Sequence, residues 1–142
     1  MNTIERVLRL HEIELFRLAA TDHLGELAAV CQELTLDAGE ILFEVDEPST
    51  HLNILIEGKM QLANGGREGH RQVVELASLD PWAFFAQSRH SLTAQALEEC
   101  KLFRISYEDL VDILTAEPDL CLALLRHLAR QQSPPCPKGP AS

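Results

Sequence analysis

Residues 37–62 read DAGEILFEVDEPSTHLNILIEGKMQL, and the pattern of this segment predicts the fold more clearly than any other part of the chain. Two polar turn sequences, Asp37–Glu40 and Asp46–Ser49, enclose a short apolar run. From His51 to Ile56 the chain then places apolar side chains at every second position, as a strand does. Gly58 interrupts this pattern before it resumes, which predicts a hairpin with the glycine at its corner. The stretch therefore predicts a succession of short strands.

Similar apolar runs extend the pattern on both sides of this stretch. Strands are predicted at Cys31–Leu36, Ile41–Phe43, His51–Ile56, Met60–Leu62, Gln72–Leu76, Leu92–Leu97 and Leu102–Ile105. No long helical pattern separates them, so parallel winding with crossover helices is not expected. Short strands at this spacing favour a closed or sandwiched β unit.

Helical patterns flank the predicted strands. Apolar residues at helical spacing from Ile4 to Ala20 predict one or two short helices. Thr21 is predicted to cap the next helix, with Asp22 in the first turn. After the strands, Ser106 is predicted to cap a helix, and Pro118 to end it or to open another. The predicted fold class is mainly β with flanking helices.

Length and charge restrict the function classes. The chain has 142 residues, which suits one domain, and a net charge of −10 from 22 acidic residues against 12 Lys and Arg. Direct nucleic-acid binding needs basic groups for the phosphates, so none is expected from this domain. There is no secretory signal, and no apolar run reaches the ~18–20 residues that span a bilayer. We therefore expect no membrane span and a cytoplasmic location.

Cysteines and histidines give no sign of a metal site or of catalysis. None of the four cysteines forms a C-x-x-C pair, and the six histidines show no metal-binding spacing. The cysteines are interpreted as small buried hydrophobic residues. His90 with Ser91 and Thr93 suggests a base and a nucleophile, but no acid stands at motif spacing to orient the histidine. The chain is therefore not predicted to be an enzyme.

The C-terminal end differs in composition from the rest. Residues 132–142 contain four prolines, a composition typical of a disordered linker. The predicted organisation is one domain over residues 1–131, followed by a disordered Pro-rich tail over residues 132–142.

Four segments resemble, in chain order, the motifs of one family: Leu15–Leu18, Asp37–Leu42, Leu55–Met60 and Ala96–Ile105. With the closing helices, the chain from Leu10 to Arg130 resembles the cyclic-nucleotide-binding domain family. That family includes the sensor half of catabolite activator proteins and the regulatory units of cyclic-nucleotide-dependent kinases and channels. The resemblance implies a double-stranded β-helix, or jelly-roll, barrel with N-terminal helices and two C-terminal helices.

The resemblance also places the family's phosphate-binding cassette within Asp80–Ala94. In the family a Gly-Glu pair opens a small helix whose N–H groups face the cyclic phosphate, and an Arg pairs with that phosphate. Here the Gly-Glu pair falls on Ala86 and Gln87 and the Arg falls on His90, with Arg89 one position away. The candidate ligand-binding residues of this degenerate cassette are Ala86, Gln87, Arg89, His90, Ser91 and Thr93.

These substitutions predict weak or lost binding of cAMP and cGMP. Gln87 offers a carbonyl oxygen without a charge, and a histidine such as His90 carries only part of a positive charge near neutral pH. Losing an Arg–phosphate pair costs roughly 2–5 kcal/mol of affinity. The predicted function is therefore a regulatory sensor domain with an impaired nucleotide site, acting on an attached domain or a partner.

Two points stay open at this stage. The alternative function is a ligand-free protein-interaction or dimerisation module, because the helical patterns at Glu108–Leu114 and Leu120–Ala129 carry enough leucine for a homodimer or partner face. The aromatic cluster of Trp82, Phe84 and Phe85 either fills the core at the barrel mouth, plugs the vacant nucleotide site, or lines a pocket for another apolar ligand.

Overall fold

The computed structural model describes residues 1–64 and 71–131. The strands are β1 (Gln32–Leu36), β2 (Ile41–Phe43), β3 (His51–Glu57), β4 (Met60–Ala63), β5 (Arg71–Val74), β6 (Ala77–Leu79), β7 (Thr93–Ala96) and β8 (Cys100–Ser106). The helices are α1 (Thr3–His11), α2 (Thr21–Val30), α3 (Pro81–Ala86), α4 (Tyr107–Ala116) and α5 (Pro118–Gln131), and a short 3-10 helix covers Glu14–Phe16. The predicted order, helices then strands then two helices, is confirmed.

The strands form two antiparallel four-stranded sheets, ordered β1-β8-β3-β6 and β2-β7-β4-β5. The chain passes from one sheet to the other at most of its connections, and the predicted jelly-roll fold class is confirmed. Among the described strands no ladder joins the two sheets. The β unit is therefore a sandwich of two facing sheets, where the resemblance implied a closed barrel.

Strands β3 and β8 form a wall between two hydrophobic cores, one inside the sandwich and one under the helices. Both strands contribute to both cores because successive side chains of a strand point to opposite faces. Leu55 and Leu102 lie on the inner face and pack between the sheets. Side chains of the outer face pack against the N- and C-terminal helices, among them Leu52, Ile54, Ile56, Phe103 and Ile105. The helices are thus fixed to the sandwich through this wall.

Gly58 turns the chain between β3 and β4, but the predicted hairpin is wrong. The two strands do not pair, because β3 belongs to one sheet and β4 to the other. Gly58 has a φ of +98°, and a Cβ there would lie 2.5 Å from the carbonyl oxygen of Glu99. The glycine therefore permits a tight corner between sheets, where a side chain would clash with backbone.

Two predicted element starts are tested by the cap geometry. Helix α2 begins at Thr21, with Ala20 as the cap residue and no side-chain cap, so the prediction of Thr21 as cap is wrong. The Thr21 hydroxyl instead lies 3.1 Å from Nε2 of His11. Ser106 does cap α4, since its Oγ accepts the N–H of Asp109 at 3.2 Å. Pro118 opens α5.

Some further predictions concern burial and the chain's end. Cys31 and Cys100 are buried, as predicted, and Cys121 is half-buried. Within residues 1–64 and 71–131 no helix has both the length and the apolar character needed to cross a membrane. The predicted disordered tail over residues 132–142 lies outside the described residues.

Candidate functional site

The helix of the cassette segment, α3, is flanked on each side by a residue in the left-handed backbone conformation. Asp80, immediately before α3, has a φ of +47°, and Gln87, immediately after it, has a φ of +52°. Residues other than glycine rarely adopt this left-handed conformation. The Nε2 of Gln87 donates to the carbonyl oxygen of Phe84 at 2.7 Å. The Gln87 amide is thus bonded to the end of its own helix, and Ala86, the last residue of that helix, is exposed.

His90 is buried and bound to an acidic side chain. Its Nδ1 lies 3.0 Å from Oδ2 of Asp80, and the two residues are 4% and 8% exposed. Because a carboxylate only accepts hydrogen bonds, Nδ1 carries the proton of this bond. The imidazole also stacks on the Phe43 ring, with centroids 3.6 Å apart and planes inclined by 6°. Its backbone N–H donates to the carbonyl oxygen of Glu47 at 2.8 Å. His90 is therefore held from several sides.

The Asp80 carboxylate also holds the residue after His90. The same Oδ2 atom accepts the backbone N–H of Ser91 at 3.2 Å. The Asp80 carboxylate thus takes two donors, one from the position on which the resemblance places the family's phosphate-binding Arg and one from the candidate residue after it. Asp80 was not among the site residues predicted from the sequence. The available signal was an acidic residue within the same cassette, ten positions before the histidine.

Arg89 points to another surface of the segment. Its Nη1 donates to the carbonyl oxygen of Asp46 at 2.6 Å, and its backbone forms an isolated bridge with Pro48. With Gln87 and Ser88 it lines an open cavity on the side of residues 48–50. Arg89 and His90 are thus separated, one exposed and the other buried.

A groove of about 690 Å³ lies beside the cassette. It runs between α5 and the surface formed by β4, β5, β6 and α3, and its wall includes Leu62, Val74, Leu76, Ala77, Pro81, Trp82, Leu92 and Leu128. Of the six candidate residues only Ser91 lines this groove. The Thr93 hydroxyl instead accepts the backbone N–H of Val45 at 3.0 Å.

The ionisable groups along the groove are mostly acidic. Among the described residues that line it, Glu14, Glu75 and Asp80 carry carboxylates, His127 carries an imidazole, and none is Lys or Arg. An anionic ligand in this groove would lie close to like charges, and none of the described lining residues would offer it an arginine. The groove is therefore electrostatically better suited to a neutral or cationic molecule.

The aromatic cluster divides between the core and the groove. Phe84 is 1% exposed and makes edge-to-face contacts with Phe85 and Tyr107, at centroid distances of 5.4 and 5.7 Å. Trp82 is 42% exposed and lines the groove. The core interpretation therefore holds for Phe84 and for the half-buried Phe85, whereas Trp82 is part of the groove wall.

The buried pair also bears on the question of catalysis. The sequence motif lacked an acid to orient His90, and the structure supplies one in Asp80. A serine hydrolase would also need a hydroxyl bonded to the second ring nitrogen. Among the described residues, the imidazole of His90 bonds only to Asp80, and it is stacked on Phe43. The geometry therefore does not assemble a nucleophile on this histidine.

One group of side chains has the chemistry of a metal site. Atoms of His23, Glu26 and Glu117 lie within 4.8 Å of one another. Nε2 of His23 is already 3.1 Å from Glu117. This contact joins α2 to the corner between α4 and α5.

Comparison with known proteins gives a family match. The family model described as "Cyclic nucleotide-binding domain" matches residues 33–117, more than half of the chain. No curated protein sequence matches the chain.

Solved structures share the architecture. The N-terminal domain of a transcriptional regulator from Streptomyces coelicolor A3(2) is 29% identical, with a TM-score of 0.73 over 89% of this chain and 92% of that one. The sensor domain of the transcriptional regulator DNR from Pseudomonas aeruginosa is 26% identical, with a TM-score of 0.71 over 91% and 89%. The Thermus thermophilus catabolite activator protein is 18% identical, with a TM-score of 0.73. It is matched over 84% of this chain and 58% of its own length, and this likeness concerns the fold alone.

Proposed function

The chain belongs to the cyclic nucleotide-binding domain family, and we propose that it is a regulatory sensor module whose cyclic-phosphate position is filled by its own side chains. In this proposal cAMP and cGMP bind weakly or not at all. The module acts on an attached domain or a partner, binds no nucleic acid directly and catalyses no reaction. We assign residues 1–131 to this domain and residues 132–142 to a linker, and place the protein in the cytoplasm.

The buried pair of Asp80 and His90 carries the proposal. Its carboxylate already accepts the imidazole N–H of His90, on which the resemblance places the family's phosphate-binding Arg, and the N–H of the next residue, Ser91. A phosphate entering here would have to displace this carboxylate or lie beside it as a second anion. Like charges at such a distance disfavour each other strongly. In this proposal the charge of the Asp80 carboxylate therefore disfavours a phosphate at this position.

The energetic consequence is large compared with ordinary ligand affinities. Where the family has an Arg, this chain has His90, whose imidazole is already bonded to Asp80. The change removes a charge pair between guanidinium and phosphate that is worth roughly 2–5 kcal/mol of affinity. Each 1.4 kcal/mol corresponds to about a tenfold change in affinity. The affinity of a micromolar nucleotide site would thus fall by roughly 30- to 4,000-fold, before repulsion by the Asp80 carboxylate is added.

Helix α5 is positioned to transmit occupancy of the groove. His127, Leu128 and Gln131 of this helix line the groove opposite Trp82 and Ala77. A ligand or partner that enters the groove contacts the helix and the sandwich together. If it binds one helix position better than another, it shifts their populations, and an attached domain can read that shift.

Thermal denaturation with added nucleotide tests the proposal. A ligand at ~100 times its Kd stabilises the folded state by ~2.7 kcal/mol, which shifts Tm by several degrees for a domain of this size. We expect no such shift with millimolar cAMP or cGMP. A shift of several degrees for the natural chain would overturn the proposal of weak or lost binding.

A restored variant sharpens this test. We expect the variant Asp80→Gly, Ala86→Gly, Gln87→Glu, His90→Arg to gain stabilisation by cAMP, because it opens the position and supplies the guanidinium. The matched control carries the first three changes and keeps His90. It should gain clearly less. A folded restored variant that gains nothing would contradict the role given to the pair.

A second candidate function, a dimerisation or partner-binding module, is favoured by the surface of α5 and α4. Leu122 and Leu125 are 47% and 55% exposed and lie one helical turn apart, and Val111 of α4 is 38% exposed. Exposed apolar groups on one face are typical of interaction surfaces. Light scattering should then show a dimer that Leu122→Gln with Leu125→Gln dissociates. The control, Ile4→Gln with Leu8→Gln on α1, should leave it intact, and a monomer at all concentrations excludes the homodimer.

A further inference from the structure

A second cavity lies between the two sheets, away from the groove. Its volume is about 230 Å³, and it is lined by Leu42, Phe43, Glu47, Pro48, Thr50, His51, Asn53, His90 and Arg104. None of these residues lines the groove beside the cassette. A cavity of this size is smaller than the roughly 300–1,000 Å³ of ordinary cofactor pockets, so it suits only a small ligand.

Arg104 is the principal charged group of this cavity. It lies on β8 opposite Asn53 of β3, two residues beyond Leu102 on the same inner face. Its Nε donates to Oδ1 of Asn53 at 2.8 Å, and Asn53 is 2% exposed. Burial lowers the pKa of Arg104, so the guanidinium has lost part of its hydration. The guanidinium charge of Arg104 is therefore partly desolvated, and Asn53, to which its Nε donates, is neutral.

The guanidinium has no counter-ion among the residues that the structure describes. None of the ion pairs within residues 1–64 and 71–131 includes Arg104. The one carboxylate on the cavity wall belongs to Glu47, and its Oε1 accepts the backbone N–H of Glu44 at 2.7 Å. Removing a charge from water is costly unless an opposite charge and hydrogen bonds replace the lost hydration. An anion in the cavity would supply both.

Two further side chains add hydrogen-bonding capacity. Nδ1 of His51 lies 2.9 Å from the Thr50 hydroxyl, and burial together with the charge of Arg104 lowers the pKa of His51. His90 lines the same cavity while its Nδ1 bonds to Asp80, which lines the groove. His90 therefore connects the cavity with the groove.

We propose that this cavity binds a small free oxyanion, such as sulfate, phosphate or a short carboxylate, on the guanidinium fork of Arg104. The planar fork can donate two parallel hydrogen bonds to two oxygens of such an anion. The remaining wall offers one further donor, either the Thr50 hydroxyl or the ring N–H of His51, depending on which of the two donates in their mutual hydrogen bond. This site shares His90 with the proposed phosphate position but is otherwise lined by different residues, and the proposal stands whether or not cyclic nucleotides bind.

The test compares thermal stability in sulfate, phosphate, acetate and chloride at equal ionic strength. Sulfate and phosphate stabilise most proteins without binding, so the readout is the difference between the natural chain and Arg104→Gln. We expect saturable stabilisation of the natural chain and a loss of about 10- to 100-fold in anion affinity in Arg104→Gln. Arg126→Gln, which removes an exposed arginine of α5, is the matched control and should retain the affinity.

A second readout keeps the proposal testable if Arg104→Gln does not fold. In the natural chain, the ring resonances of His51 should shift saturably with sulfate or phosphate. The proposal would be overturned if sulfate and phosphate raised the thermal stability of the natural chain and of Arg104→Gln equally. It would also be overturned by His51 resonances that do not respond to any of the anions.

Discussion

Nδ1 of His90 lies 3.0 Å from Oδ2 of Asp80, inside the protein and beside the groove between α5 and the sandwich. The Asp80 carboxylate accepts hydrogen bonds from two donors of the cassette, the His90 imidazole and the Ser91 backbone N–H. A buried polar group without a partner is costly, so the arrangement stabilises the domain in the absence of ligand. In the proposed function, weak or lost nucleotide binding and the stability of the fold therefore have the same structural origin, the bond between Asp80 and His90.

The first prediction concerns the stability that Asp80 contributes. Asp80→Asn keeps the shape and tolerates the positive φ, but it removes the charge, so an amide oxygen in place of Oδ2 accepts the two N–H groups more weakly. We expect a loss of about 1–3 kcal/mol in the free energy of unfolding, measured in urea. Asp46→Asn is the matched control, because Asp46 also has a positive φ, of 73°, but is exposed. Equal effects of the two changes would contradict this role of the pair.

The second prediction compares two glycines. Gly58→Ala would place a Cβ 2.5 Å from the Glu99 carbonyl oxygen at a φ of +98°, so backbone must shift. We expect a loss of at least about 1–3 kcal/mol, the range for strained backbone. Gly25, inside α2, has no atom within 4 Å of an added Cβ, and Gly25→Ala should stabilise by about 0.5–1 kcal/mol. Thermal or urea unfolding of both variants checks this, and a tolerated Gly58→Ala would exclude the tight corner.

The third prediction concerns the titration of His51. Burial is the larger cause of its lowered pKa and Arg104 the smaller, so Arg104→Gln should raise the pKa of His51 without restoring the ordinary value. Because the folded pKa is lowered, the unfolded chain binds more protons as pH falls below about 6.5. Stability is therefore full above that pH and declines as pH falls through the folded pKa. His51→Gln should flatten this decline.

Proton NMR of the histidine rings measures this titration directly. An unchanged pKa of His51 in Arg104→Gln would show that the guanidinium does not act on His51. A stability curve equally steep in His51→Gln would assign the decline to other groups.

The fourth prediction orders the reactivity of the cysteines. Burial raises the pKa of the Cys31 thiol to about 12, and it also raises that of Cys100. Thiol reagents react with thiolates, so both should be inert in the folded protein at neutral pH. In a Cys136→Ser background we expect the half-buried Cys121 to be labelled first, and the other two only on unfolding. Labelling of all three at one rate in the native protein would contradict the described packing.

The strand pattern and the terminal helices could be predicted from the sequence, because strand alternation and helical spacing are local signals. Leu52, Ile54 and Ile56 occupy one face of β3 as their spacing required. Strand β6 was missed, because Ala77–Leu79 is too short to alternate visibly. The hairpin at Gly58 was wrong, because a glycine marks a corner but does not say which strands pair beyond it.

The candidate site was predictable only in part. The resemblance located the cassette and the substitutions at Ala86, Gln87 and His90, but residue types alone could not show where those side chains point. The carboxylate of Asp80 meets His90 only because the chain reverses through two left-handed residues, Asp80 and Gln87. Neither is glycine, so the residue types did not indicate these left-handed positions.

An NMR titration of the natural chain with cAMP tests the closed phosphate position most directly. The Ser91 backbone amide and the His90 ring report on both donors that the Asp80 carboxylate holds. We predict that neither resonance moves with millimolar cAMP, while both move in Asp80→Asn without any nucleotide. A saturable shift of the Ser91 amide and the His90 ring on adding cAMP to the natural chain would contradict the account.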